Sequence, residues 1–225
     1  MTDAHATVRI WDLPTRLFHW ALAACVLGSV VSAKIGGAAM VWHLRCGYTV
    51  LALLAFRLLW GLVGGRWSRF GSFLFGPRAL WRYLQRRPAD GEQLDVGHSP
   101  LGALSVFALL GLLAAQVATG LVADDEIATV GPLNRYVDTA TGLAATGWHK
   151  AWGQWLILAM VGLHLAAVAW YVARGSDILA AMLGGDKSLP PGTPASADGA
   201  RQRWQALMLA LACAAVVTGV VSLGG

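Results

Sequence analysis

The sequence is poor in charge. Of its 225 residues only 13% are Asp, Glu, Lys or Arg, whereas 56% are hydrophobic and the mean hydropathy is +0.56. Soluble domains carry about twice that charged fraction, so a water-soluble globular enzyme is excluded. Cysteine is scarce as well: Cys25, Cys46 and Cys213 stand singly in different apolar blocks. Without a Cys-x-x-Cys-His motif there is no covalent c-type heme, and without a thiolate cluster no iron–sulfur centre. The three cysteines read as small apolar packing residues. No internal repeat stands out.

What the chain has instead is long apolar blocks, at about 17–37, 41–64, 101–122, 149–173 and 204–223. Each is near the roughly 20 residues that cross a bilayer. The expected fold class is an all-α integral membrane protein with a four-helix transmembrane bundle and an additional C-terminal transmembrane helix. Its parts are a lead over 1–16, a transmembrane domain over 17–183, a flexible linker over 184–203 and a fifth helix over 204–225. The linker expectation rests on Gly, Pro, Ser and Ala content. Pro14 suits the first turn of helix one. Leu22-Ala23-Ala24-Cys25 imitates a lipoprotein cleavage site, but the apolar run before it is short and continues past it, so block one is expected to be retained. Segment 77–87 places Leu80, Trp81 and Leu84 at helical spacing with arginines around them, the pattern of a helix lying in the membrane interface.

The net charge of +5 is distributed by side. Arg66, Arg69, Arg78, Arg82, Arg86 and Arg87 lie between blocks two and three, and Arg174, Lys187, Arg201 and Arg203 between four and five. Between three and four stand Asp124, Asp125, Glu126 and Asp138 against Arg135. The positive-inside rule then puts the N-terminus and both arginine-bearing segments in the cytoplasm and the C-terminus on the opposite side. Because these cations flank membrane spans, the pI near 9.5 signals lipid rather than nucleic acid as the surroundings.

Against this apolar background the histidines decide the reading. An ionisable residue inside a bilayer is costly and marks a functional site. His149 and His164 lie in one block, fifteen positions apart, so on a continuous helix they stand roughly 22 Å apart along the axis and about 60° apart around it. They cannot share one ion. Each needs a partner from another helix, and His19 and His43 are available. Helix one enters from inside and helices two and four run inward, which gives His43 with His149 at the outer depth and His19 with His164 at the inner. The expected cofactors are two b hemes, each ligated through its iron by a histidine pair, in a diheme four-helix bundle. Gly47 and Gly153 each follow a ligand by one turn, and Gly28 and Gly120 lie inside helices one and three, where small residues make room. Heme propionates call for cations: Arg45 near the outer site, Arg57 near the inner, and Arg16 one turn before His19. His98, at the start of helix three, is an interfacial residue or a quinone contact. His5 lies in a mobile tail. Tryptophans such as Trp11, Trp20, Trp42, Trp60 and Trp170 sit near helix ends as interfacial anchors.

The run Val8-Arg9-Ile10-Trp11-Asp12-Leu13-Pro14-Thr15-Arg16-Leu17-Phe18-His19-Trp20 resembles the opening of the cytochrome b subunits of nickel–iron hydrogenases, within the bacterial cytochrome b-561 family. Arg57-Leu58-Leu59-Trp60-Gly61, His98-Ser99-Pro100-Leu101-Gly102, Gly131-Pro132-Leu133, Trp148-His149-Lys150 and Gly162-Leu163-His164 resemble later blocks, in order, over about 8–183. Ser99 departs from the family pattern, which has asparagine there. The resemblance implies a diheme core moving electrons between a redox partner and membrane quinone, with His19, His43, His149 and His164 as ligands. The expected role is the electron-transfer subunit of a quinone-linked oxidoreductase, with membrane lipid, quinone and an outer redox protein (hydrogenase-like or cytochrome c-like) as partners. Two alternatives stand beside it: a stand-alone oxidoreductase fed by a diffusible donor such as superoxide, and a histidine-relay transporter.

Overall fold

The computed structural model describes residues 5–87 and 94–224; the first four residues of the lead and the terminal Gly225 lie outside the described residues. Among the described residues, five helices are long and apolar enough to cross a membrane: Leu13–Ile35, Gly37–Val63, Pro100–Val122, Thr139–Ala173 and Ala200–Ser222. Large apolar side chains on these spans, among them Leu27, Leu62, Leu163 and Val216, face outward. That is the surface of a chain whose solvent is hydrocarbon, and the expected all-α membrane architecture is what is found.

Caps and turns set the element ends more than hydropathy does. Strand β1 (Ala6–Arg9) leads to α1 (Leu13–Ile35). The Asp12 carboxylate accepts the Thr15 N–H at 2.8 Å, so the helix starts before the apolar block does. Next come α2 (Met40–Val63) and α3 (Pro77–Leu84). Proline opens α3, and Arg86 at φ 55° ends it, three residues short of the expected 77–87. After α4 (Pro100–Val122), the fourth span is built from α5 (Thr139–Gly147), a π-helical turn at Trp148–Gly153 and α6 (Gln154–Ala173). It begins at Thr139, not near 149, because Asp138 caps a stretch of small residues that a hydropathy count passes over. The 35-residue span is about 50 Å long, so it outruns a hydrocarbon core of roughly 30 Å. Helix α7 (Ile178–Gly184), strand β2 (Asp186–Leu189) and α8 (Ala200–Ser222) complete the chain.

The chain divides into two compact units. One comprises 1–17, 58–108 and 163–207. In it β1 and β2 pair antiparallel, with Ala6 opposite Leu189 and Arg9 opposite Asp186. Val8, Ile10, Trp11, Val96, Ala181 and Leu189 form its apolar cluster. Residues within the stretch 184–203, expected as a flexible linker, bond to the start of the chain and to Trp67. Arg9 binds Asp186 at 2.6 Å and Asp198 at 2.7 Å, the Ser196 N–H donates to the Arg9 carbonyl at 2.7 Å, and Trp67 Nε1 donates to the Pro194 carbonyl at 2.7 Å. Composition alone misses this order because partners of the segment lie far away in sequence, Arg9 of β1 standing 189 residues before Asp198. The same unit buries Asp12 completely. Besides the Thr15 amide, its carboxylate takes Ser68 Oγ at 2.6 Å, the Gly65 N–H at 3.1 Å and Trp60 Nε1 at 3.2 Å. Gly65 lies so close to Oδ2 that no Cβ fits there.

The other unit comprises 18–57, 109–162 and 208–225. Val50, Leu54, Leu113 and Ile157 form its centre, with Leu22, Val26, Val117 and Val161 packed around them. This cluster joins α1, α2, α4 and the fourth span. Gly28 leaves room for the Cys46 sulfur, 3.1 Å from where a Cβ would stand. The second unit holds the principal candidate site.

Candidate functional site

His43 lies in the first turn of α2 and His149 in the π-helical turn. Their ring centroids are 5.9 Å apart and their planes are nearly perpendicular, at 84°. His43 Nδ1 is 2.9 Å from the Ser29 carbonyl on α1, and His149 Nδ1 is 2.9 Å from the Gln116 carbonyl on α4. A carbonyl oxygen only accepts, so both Nδ1 atoms donate, and in the neutral ring Nε2 keeps the lone pair. Metal-binding histidines are held in this way, with the second nitrogen donating to a fixed acceptor.

The spacing fits a metal between the rings. With metal–imidazole bonds of about 2 Å, two opposed rings have centroids about 6 Å apart. Among the described residues no group of three or more His, Cys, Asp or Glu is placed to hold a bare ion. Two imidazoles alone suit a metal that brings its own equatorial ligands, as heme iron does.

Helix α4 forms the seat of His149. A Cβ at Gly120 would stand 2.8 Å from His149 Cε1, so only glycine admits the ring. Thr119 Oγ1 is 3.4 Å from Nδ1, and Gln116 Nε2 donates to the His149 carbonyl at 2.9 Å. Of the flanking glycines, Gly47 has open space beside it, whereas Gly153 packs against the Gln116 side chain. The π turn also means that the His149–His164 spacing of an unbroken α-helix does not apply turn for turn.

The remaining sequence candidates are distributed between the units. His19, half-buried on α1 in the second unit, meets Trp20 edge-to-face at 5.0 Å. His164, half-buried on α6, belongs to the first unit. Arg57, on α2 in the second unit, is 3% exposed. Arg45 is exposed and stands 5.0 Å over the Trp42 ring. In the first unit Arg16 donates from Nη1 to the Leu183 carbonyl. His98 there lies against Trp11 at 4.7 Å and Phe73 at 4.3 Å, with Phe107 behind Phe73 at 5.5 Å.

The acidic segment between α4 and α5 is folded on itself. Amides of Thr129 and Ala128, helped by Ile127, hold the Asp125 carboxyl down at about 2. Asp124 accepts the Glu126 N–H at 2.8 Å. Asp138, lowered by the Thr141 amide and hydroxyl, caps α5.

Sequence reasoning gave no role to Asp12 or Gln116 and did not foresee the π turn. Gln116 carried a usable signal, being an amide side chain in the middle of an apolar span. Asp12 was visible too, as a carboxylate three residues before Thr15 at the head of an apolar run.

The chain resembles known proteins. The family described as prokaryotic cytochrome b561 matches residues 10–185. Two curated relatives, each a "Probable Ni/Fe-hydrogenase 1 B-type cytochrome subunit", come from Escherichia coli strains K12 and O157:H7. Each is 23% identical over 192 residues, covering 69% of this chain and 80% of the relative. No solved structure matches the chain significantly. With five apolar spans and a family match over most of its length, the chain belongs to the prokaryotic cytochrome b561 family and is a multi-pass membrane b-type cytochrome of electron transfer.

Proposed function

We propose that the chain holds two b hemes, one between His43 and His149 near the outer face and one between His19 and His164 near the inner. It carries electrons across the bacterial plasma membrane between a redox protein outside and the quinone pool. The observation behind this reading is the 5.9 Å approach of the His43 and His149 rings, with each Nδ1 on a backbone carbonyl. Heme, when bound, supplies one-electron exchange at iron. The chain fixes the ligand rings, surrounds them with apolar side chains and offers cations to the propionates. Arg57, buried on α2, is one of these. Arg45 serves the outer site, and Arg16 the inner through donors beyond the one on Leu183.

His98 between Trp11 and Phe73 supports a quinone site. An imidazole can hydrogen-bond a quinone carbonyl. The arginine asymmetry puts this end and the N-terminus in the cytoplasm and the C-terminus in the periplasm. The hydrogenase association named for the Escherichia coli relatives supports a hydrogenase-like donor, with a cytochrome c-like protein as the alternative.

Quantitative heme extraction tests the reading first, with two hemes expected per polypeptide. His43→Ala and His149→Ala should then remove one spectral component, and His19→Ala and His164→Ala the other. One heme or none per chain would sink the diheme proposal. Loss of the same component in His19→Ala and His149→Ala would overturn the pairing.

A further inference from the structure

We propose that Gln116 is a positioning residue for His149. It grips both ends of that residue and so tunes the heme that His149 ligates, an inference that rests on the ligation reading above.

Two bonds run between this one pair of residues. The Gln116 backbone carbonyl accepts from His149 Nδ1 at 2.9 Å, and Gln116 Nε2 donates to the His149 backbone carbonyl at 2.9 Å. One residue of α4 therefore fixes both the ring and the main chain that carries it. The main chain needs fixing because His149 stands in a π turn. Such turns are rare and wider than α-helix, and they persist where tertiary contacts hold them. Here the amide donor bonds a carbonyl of that turn. It cannot be flipped, because Oε1 in its place would face another acceptor.

Glycines keep the arrangement tight. Gly153, which ends the π turn, admits the Gln116 side chain, and Gly120, one turn along α4, admits the imidazole. Leucine at 116 would keep much of the side-chain bulk and remove the donor. The π turn then loses its bond to α4, and the Nδ1–H bond to the Gln116 carbonyl loosens with it. A weaker bond at Nδ1 makes the imidazole a poorer electron donor at Nε2, which disfavours the oxidised, more positive iron.

The test compares wild-type, Gln116→Leu and Val117→Ala protein, with His149→Ala identifying the relevant component. Val117 packs in the neighbouring apolar cluster and makes no bond to His149, so its truncation reports general loosening. In Gln116→Leu, two hemes should remain. The component missing from His149→Ala should show a raised midpoint potential and a shifted low-spin EPR signal, with the other component unchanged. In heme-free protein, amides over 148–154 should exchange about fivefold faster in Gln116→Leu, the equivalent of one hydrogen bond of about 1 kcal/mol. Val117→Ala should lower thermal stability and leave potential and EPR at wild-type values. Unaltered potential and EPR in Gln116→Leu, or equal shifts in Val117→Ala, would overturn the proposal. If Gln116→Leu loses heme, the exchange of heme-free protein decides, and wild-type protection over 148–154 counts against it. Retention of both hemes in His149→Ala would instead overturn the ligation reading, whatever the exchange data show.

Discussion

An imidazole in an apolar span can rotate, titrate or be pinned, and only the pinned state makes a dependable ligand. His43 and His149 are pinned by carbonyls from helices other than their own. A carbonyl neither ionises nor offers a proton, so it fixes the tautomer without adding charge to the membrane. Close packing completes the constraint, and Gly120 is its sharpest point. In Gly120→Ala the new methyl would stand 2.8 Å from His149 Cε1 and 3.2 Å from Nδ1, and the ring must move. We expect loss of the His43/His149 component from the reduced-minus-oxidised spectrum, with the second component retained. Gly111→Ala, on the same helix with open space at its Cβ, is the control and should leave the spectrum intact. Equal spectra for the two variants would show that ring packing against α4 does not matter.

At the scale of elements, the segment from β2 to the start of α8 is a strap closed by charge. Asp198 is its knot: its side chain is 6% exposed and binds Arg9 at 2.7 Å and Arg203 at 3.2 Å, and it accepts the Leu13 N–H at 3.0 Å. Burial by itself would raise this carboxyl, but Arg203, the Leu13 amide and Arg9 together outweigh it and hold the carboxyl below its ordinary value. A carboxyl lowered in the folded state contributes stability that is fully present above its ordinary pKa near 3.8 and is lost as the pH falls through the lowered folded value. Asp198→Ala should cost about 2 kcal/mol, the scale of charge-assisted hydrogen bonds, and should flatten the acid side of the strap's stability profile. Limited proteolysis between 186 and 199 across pH 3–7 measures both effects. Unchanged protection in the variant would mean that β-pairing alone holds the strap.

For the whole molecule, the proposed orientation rests on the uneven distribution of arginine among the segments between the apolar spans. Under the proposed orientation, five crossings put the two termini on opposite sides. A reporter active only in the periplasm, fused after residue 225, should therefore be active, and one fused before residue 1 should not. Activity of a C-terminal fusion confined to the cytoplasm would contradict the orientation or the fifth span. The proposed outer partner can be tested for docking at the acidic segment over 124–138. Asp125 and Asp138 already serve the backbone, so Glu126→Gln is the cleaner probe of charge steering than Asp125→Asn, which would also unfold the turn. A modest fall in electron transfer from the partner, vanishing at high salt, is the expected result.

Hydropathy and charge determined the membrane class, the five spans and the candidate histidines, because transfer into hydrocarbon is a property of each residue and adds along the chain. A histidine in such a run is conspicuous for the same reason. Tertiary structure alone decided how those residues are used. The order of 184–199 depends on partners near the N-terminus, out of reach of any local composition. The early start of the fourth span follows from a cap, and the π turn from contacts with α4. The tautomers of His43 and His149 are set by carbonyls of Ser29 and Gln116, whose side chains say nothing about them. A main-chain oxygen is the same atom in every residue, so which one a ring finds depends on how the helices pack.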